Sequence, residues 1–182
     1  MSRVWKTLRT IANGIDRSSV SVGRLSSFLV LLSIAVITVS VVLRYFFSRT
    51  YVALDEIQYY FYSIMFLFGF SYVLKEDGHI RVDIFFARFS DRKKALINLL
   101  GGVFLTIPWA AAICYYSFQY FLRSYHINEK STEASGLPAL YILKFILFLA
   151  FVLLLFQGMS LVIRQVLILA GRNGDGEETH GA

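Results

Sequence analysis

The chain has 182 residues, 57% of them apolar and 16% charged, with a net charge of +6 and a mean hydropathy of +0.60. That balance excludes an ordinary water-soluble domain, because too little polar chain remains to cover the apolar part. The basic residues flank apolar runs, so the anionic surface they fit is membrane lipid and not nucleic acid.

In chain order, residues 1–24 form a basic segment. Within it Val4, Trp5, Leu8, Ile11, Ala12 and Ile15 share one side of a helical projection, with Arg3, Lys6, Arg9 and Asn13 on the other. This pattern predicts an amphipathic helix lying in the membrane interface or packed on a partner subunit. Residues 25–170 carry four apolar spans, at about 25–47, 57–74, 95–122 and 137–165. Each approaches or exceeds the roughly 20 residues that cross a bilayer as a helix, the structure that satisfies its own backbone groups in lipid. The expected fold is therefore an all-α membrane protein of four transmembrane helices plus amphipathic interfacial helices. The first span is preceded by too much polar chain for a signal peptide and ends in Arg44-Tyr45-Phe46-Phe47, an aromatic and cationic boundary. Between the second and third spans, Val82, Phe85, Phe86 and Phe89 have the spacing of another surface helix. Residues 171–182 lack apolar side chains beyond alanine and read as a disordered tail.

Lys and Arg set the orientation. Arg3, Lys6, Arg9, Arg17 and Arg24, the middle-loop residues Lys75, Arg81, Arg88, Arg92, Lys93 and Lys94, and Arg164 and Arg172 share one side. The other side has Arg44, Arg49, Arg123 and Lys130, with Lys144 just inside the fourth span. The bias predicts that both termini and the middle loop are cytoplasmic.

Arg44, Asp55, Glu56 and Lys144 fall at comparable depth at the opposite end. Three readings stand: snorkelling with helix capping, a cross-helix network within the chain, and pairing with a partner subunit. Pro108 predicts a kink in the third span, and Ser135-Gly136-Leu137-Pro138 a turn with a helix start. Gly69, Gly101, Gly102 and Gly158 are positions for close helix approach, and Gln157 and Gln165 for interhelical hydrogen bonds.

The histidines, His79, His126 and His180, lie outside the spans, which argues against a haem-carrying subunit. The single cysteine, Cys114, argues against a thiol oxidase. There is no metal-ligand spacing, no phosphate loop, no nucleophile–base pair, and no carboxylate in the middle of any expected span. No enzyme and no metal site is expected. An accessory subunit fits better than a transport pathway.

Arg44-Tyr45-Phe46-Phe47, Leu54-Asp55-Glu56, Gly69, Lys75 through Asp83 and Ser131 through Pro138, with Lys144 and Leu155-Phe156-Gln157-Gly158, resemble the small membrane subunit of tripartite ATP-independent periplasmic (TRAP) transporters, the DctQ family. The most specific piece is His79-Ile80-x-Val82-Asp83 after the second span. Leu54 departs from the tryptophan frequent before the family's acidic pair, and Asp55 from its glutamate. The resemblance implies a multi-pass subunit of the bacterial inner membrane, surrounded by lipid. Its partners would be a large multi-span membrane subunit, which moves substrate, and a periplasmic substrate-binding protein. The small subunit would brace the large subunit's scaffold during sodium-coupled uptake of an organic acid. No cofactor is implied in this chain, and sodium is expected in the large subunit. Arg44, Asp55, Glu56 and Lys144 would then secure the periplasmic end. Arg49, Arg123, Glu129, Lys130 and Glu133, in the two outward loops, are candidates to touch the binding protein. The alternatives are an accessory subunit of another membrane complex, such as a redox enzyme, and a small homo-oligomeric transporter.

Overall fold

In the computed structural model, residues 3–76, 89–133 and 135–171 are described; the segment holding His79, Ile80, Val82 and Asp83, the surface helix expected from Val82, and the tail lie outside them. The described residues form helices and no strand. They are α1 (Arg3–Phe47), α2 (Val52–Lys75), α3 (Asp91–Gly101), a π-helical turn (Gly102–Thr106), α4 (Ile107–His126) and α5 (Tyr141–Leu169). With α3, the turn and α4 read as one rod, four helices are long and apolar enough to cross a membrane.

The first rod differs from expectation. The segment expected as a separate surface helix runs into the span without a break, giving one helix of 45 residues, roughly 67 Å long. The serines and threonines along it are accommodated because their hydroxyls bond back to carbonyls one turn earlier. Ser18 donates to Gly14 O, Ser26 to Gly23 O and Thr38 to Ile34 O.

Helix α5 is the hub. It packs on α1, α2, α3 and α4, while α1 and α2 pair along their length. The buried positions are mostly small or polar: Ala12, Asp16, Ser19, Ser26 and Ser40 on α1, Ala110, Ser117 and Ser124 on α4, and Ala150, Gln157, Gly158 and Ser160 on α5. Leu25, Phe28, Leu31, Phe66, Phe104 and Leu105 face outward. This arrangement inverts that of a soluble domain and suits lipid as solvent: small residues let helix backbones approach, and no water competes for their polar groups.

The kink expected at Pro108 takes the form of the π turn. Proline offers no N–H to the carbonyl four residues back, so the ladder widens just ahead of it, and Ile107 N–H bonds to Gly102 O, five residues earlier. A Cβ at Gly102 would lie 2.9 Å from both Leu161 Cδ2 and Val162 Cγ2, so glycine permits this approach to α5. Gly158 seats Thr106 and Ile107, whereas Gly69 and Gly101 face open space. Toward the far end of the rod, Phe121 packs at a tilt against Phe145 with centroids 4.9 Å apart, and Tyr125 meets Tyr141 edge-on at 5.5 Å.

The fourth span starts later than expected, at Tyr141. Pro138 lies in a bend before the helix, because the Leu137 and Leu140 amides are taken by Glu56 and by Glu129 O.

Candidate functional site

Two polar ties, one near each end of the helices, and an outer apolar groove are the features to which a function can attach. At the end where Arg3 and Leu169 lie, Asp16 is the centre. Its Oδ1 accepts from Gln157 Nε2 at 2.8 Å and Ser160 Oγ at 2.7 Å, and its Oδ2 from Arg164 Nε at 2.7 Å and from Arg164 Nη2. Ser19 Oγ donates to Gln157 Oε1 at 2.6 Å, and Arg164 Nη2 also reaches Asn13 Oδ1 at 3.0 Å. Asp16, Ser19, Gln157 and Ser160 are buried. The carboxylate therefore has a donor on every side and a fork-shaped counter-ion, the condition for a charge at this depth to be tolerated. The expectation for Gln157 holds. Asp16, Ser160 and Arg164 were missed as a group; their signal is the small-polar stripe of α1 at helical spacing, facing Gln157, Ser160 and Arg164 at i, i+3 and i+7.

At the other end the four residues expected to cluster do not pair with one another. Asp55 accepts from Ser40 of α1 at 3.1 Å. Glu56 accepts from the Ser131 hydroxyl and from the Leu137 amide, pinning the α4–α5 loop to the start of α2. Gly136 is part of this seat: a Cβ there would collide with Ser131 and Glu56. Lys144, buried on α5, pairs with Glu129 of the loop and lies 3.8 Å above the Tyr120 ring centroid. The Lys144 ammonium holds the Glu129 carboxyl below its usual range. Arg44 is exposed and makes no ion pair among the described residues. Of the loop candidates, Arg49, Arg123, Lys130 and Glu133 are exposed, while Glu129 turns inward to Lys144.

Between the ties, an apolar groove of about 400 Å³ opens on the outer surface. Phe70 and Leu74 of α2 form one wall, Leu105, Thr106 and Trp109 of the third rod the other, and Phe151 and Leu154 of α5 the floor. Among the described residues, no group of three or more His, Cys, Asp or Glu side chains gathers to hold a metal.

Apolar outside, small and polar inside, with charges spent on holding helices together, the chain is a polytopic helical membrane protein. The family model for the DctQ component of tripartite ATP-independent periplasmic transporters matches residues 33–167. The chain belongs to that family and is the small membrane component of a TRAP transporter. No curated protein and no solved structure matches it.

Proposed function

We propose that this chain braces the scaffold of the large TRAP membrane subunit in the bacterial inner membrane. In this reading both termini are cytoplasmic, the α1–α2 and α4–α5 loops help dock the periplasmic binding protein, and uptake is of an organic acid driven by sodium. Substrate and sodium sites belong to the large subunit, and no cofactor resides here. The observation that carries the reading is how the charges at the helix contacts are used. Asp16, Arg164, Glu56, Glu129 and Lys144 each close a contact between helices or between helix and loop, which is the economy of a rigid support. The excess of Lys and Arg on the terminal side supports the orientation. Arg49, Arg123, Lys130 and Glu133 are exposed side chains available to a docking protein; Glu56 and Lys144 hold the α4–α5 loop in place, Asp55 ties α2 to α1, and Arg44 stands exposed at the same end.

The test is reconstitution. Vesicles holding this chain alone should stay closed to organic acids under a sodium gradient. Vesicles holding it with the large subunit and the binding protein should accumulate them. Flux through this chain alone would overturn the proposal, as would full uptake by the large subunit and binding protein without it.

A further inference from the structure

Of the exposed amphipathic aromatic side chains, Tyr62 and Trp109 lie nearest mid-span, the wrong depth for lipid. Tyr62 is 57% exposed and stands about 15 Å along α2 from its start, near the middle of a rod about 36 Å long. Trp109 is 67% exposed, near the middle of the third rod, on the wall of the groove. Tyrosine and tryptophan normally sit at the headgroup level, where the hydroxyl and the indole N–H find partners. Neither donor has a hydrogen-bond acceptor among the described residues. Acyl chains cannot supply one, and an unmet donor in hydrocarbon is costly.

The two are joined by a continuous surface. Tyr62 stacks on Phe66 with centroids 6.1 Å apart, and Phe66 meets Phe70 edge-on at 4.7 Å. Phe70 is a wall of the groove, opposite Trp109. The result is an aromatic ridge leading into a concave slot, with a polar donor on each side.

The geometry points to this face, α2 from Tyr62 to Leu74 together with Leu105, Thr106 and Trp109, as the seat of a transmembrane helix of the large subunit. That helix would place apolar side chains in the slot and offer Ser, Thr, Asn, Gln or free backbone carbonyls to Tyr62 and Trp109. Complementarity of donor and acceptor selects a protein helix over lipid. The inference rests on the subunit reading above and adds which surface does the bracing.

Trp109 reports on itself. The chain has two tryptophans, so Trp5→Phe leaves Trp109 as the sole indole. In vesicles of lipid brominated at mid-chain, Trp109 of the chain alone should be strongly quenched. After co-reconstitution with an indole-free large subunit, quenching should fall severalfold. Tyr62→Phe, which removes only the hydroxyl, should weaken assembly roughly threefold, the scale of one interhelical hydrogen bond in a bilayer. Phe28→Leu, on the exposed side of α1, should leave it unchanged. A complex that forms with Trp109 still quenched sinks this surface while sparing the subunit reading. Failure of the two chains to co-purify sinks both. Shielding of Trp109 in the chain alone assigns the slot to a second copy and overturns the proposal.

Discussion

Asp16 and Arg164 stand 148 positions apart in sequence, yet the guanidinium grips the carboxylate through Nε at 2.7 Å and again through Nη2. The carboxylate is buried on α1 and the guanidinium reaches it from the last turns of α5, so the pair decides where the N-terminal third of the chain lies.

Asp16→Ala strips acceptors from Gln157, Ser160 and Arg164 at once. The expected cost is roughly 2–3 kcal/mol, the scale of a hydrogen bond to a charged group, moderated because Arg164 can turn toward water. Arg164→Lys keeps the charge and loses the fork, and should fall between wild type and Asp16→Ala. Equilibrium unfolding in mixed micelles reads both.

Glu56→Ala should free the α4–α5 loop from α2, since the Ser131 hydroxyl and the Leu137 amide lose their acceptor together. Hydrogen exchange at the Leu137 amide should accelerate by an order of magnitude or more. Glu56→Gln keeps an acceptor oxygen and should show a smaller change. Exchange at Leu137 indifferent to both variants would show that the loop holds itself.

The Glu129–Lys144 pair gives a pH dependence of known sign. Lys144 lowers the Glu129 carboxyl from its ordinary value of 4.5, so the folded state binds this proton less readily than the unfolded chain. The contribution is complete above about pH 4.5 and is lost as pH falls through the lower folded value. Melting temperature in detergent should therefore drop on acidification below that point. Glu129→Gln should flatten this part of the profile.

Gly102→Val should destabilise by about 1–3 kcal/mol through overpacking against Leu161 and Val162. The same change at Gly69, where nothing lies within 4 Å, should be nearly silent. Thermal melts of the two variants side by side would show whether the π turn and α5 meet as closely as the geometry requires.

Most of the architecture was legible because lipid imposes length and hydropathy on each span, and those are local properties. Glu56 and Lys144 were legible as charges needing a partner. Ser131, Leu137, Glu129 and Tyr120 as those partners were not, since contacts between distant residues leave no trace in composition. Asp16 was passed over because the segment around it is polar enough to read as solvated. Its neighbours Ala12 and Ser19, at helical spacing, carry the opposite message, that of a small-residue seam. The late start of the fourth span escaped for a related reason. Pro138 is a fair helix opener by itself, and the claim of Glu56 on the next-door Leu137 amide is visible only in three dimensions.

The π turn amounts to one surplus residue held between two regular stretches. Side chains on either side of it are rotated about 100° out of phase with a straight continuation. Residues 91–101 and 107–126 can therefore each present their own best face to α5, although no single helical stripe would serve both. Straightening this turn into regular α-helix with every residue kept would swing the upstream half around its axis, turning Ala95 away from its buried position and bringing bulkier neighbours such as Leu96 toward α5. A single-codon deletion within 102–106 would instead take out the surplus residue and leave both halves facing α5 as they do, so the turn is how this rod carries an extra residue without rotating either half.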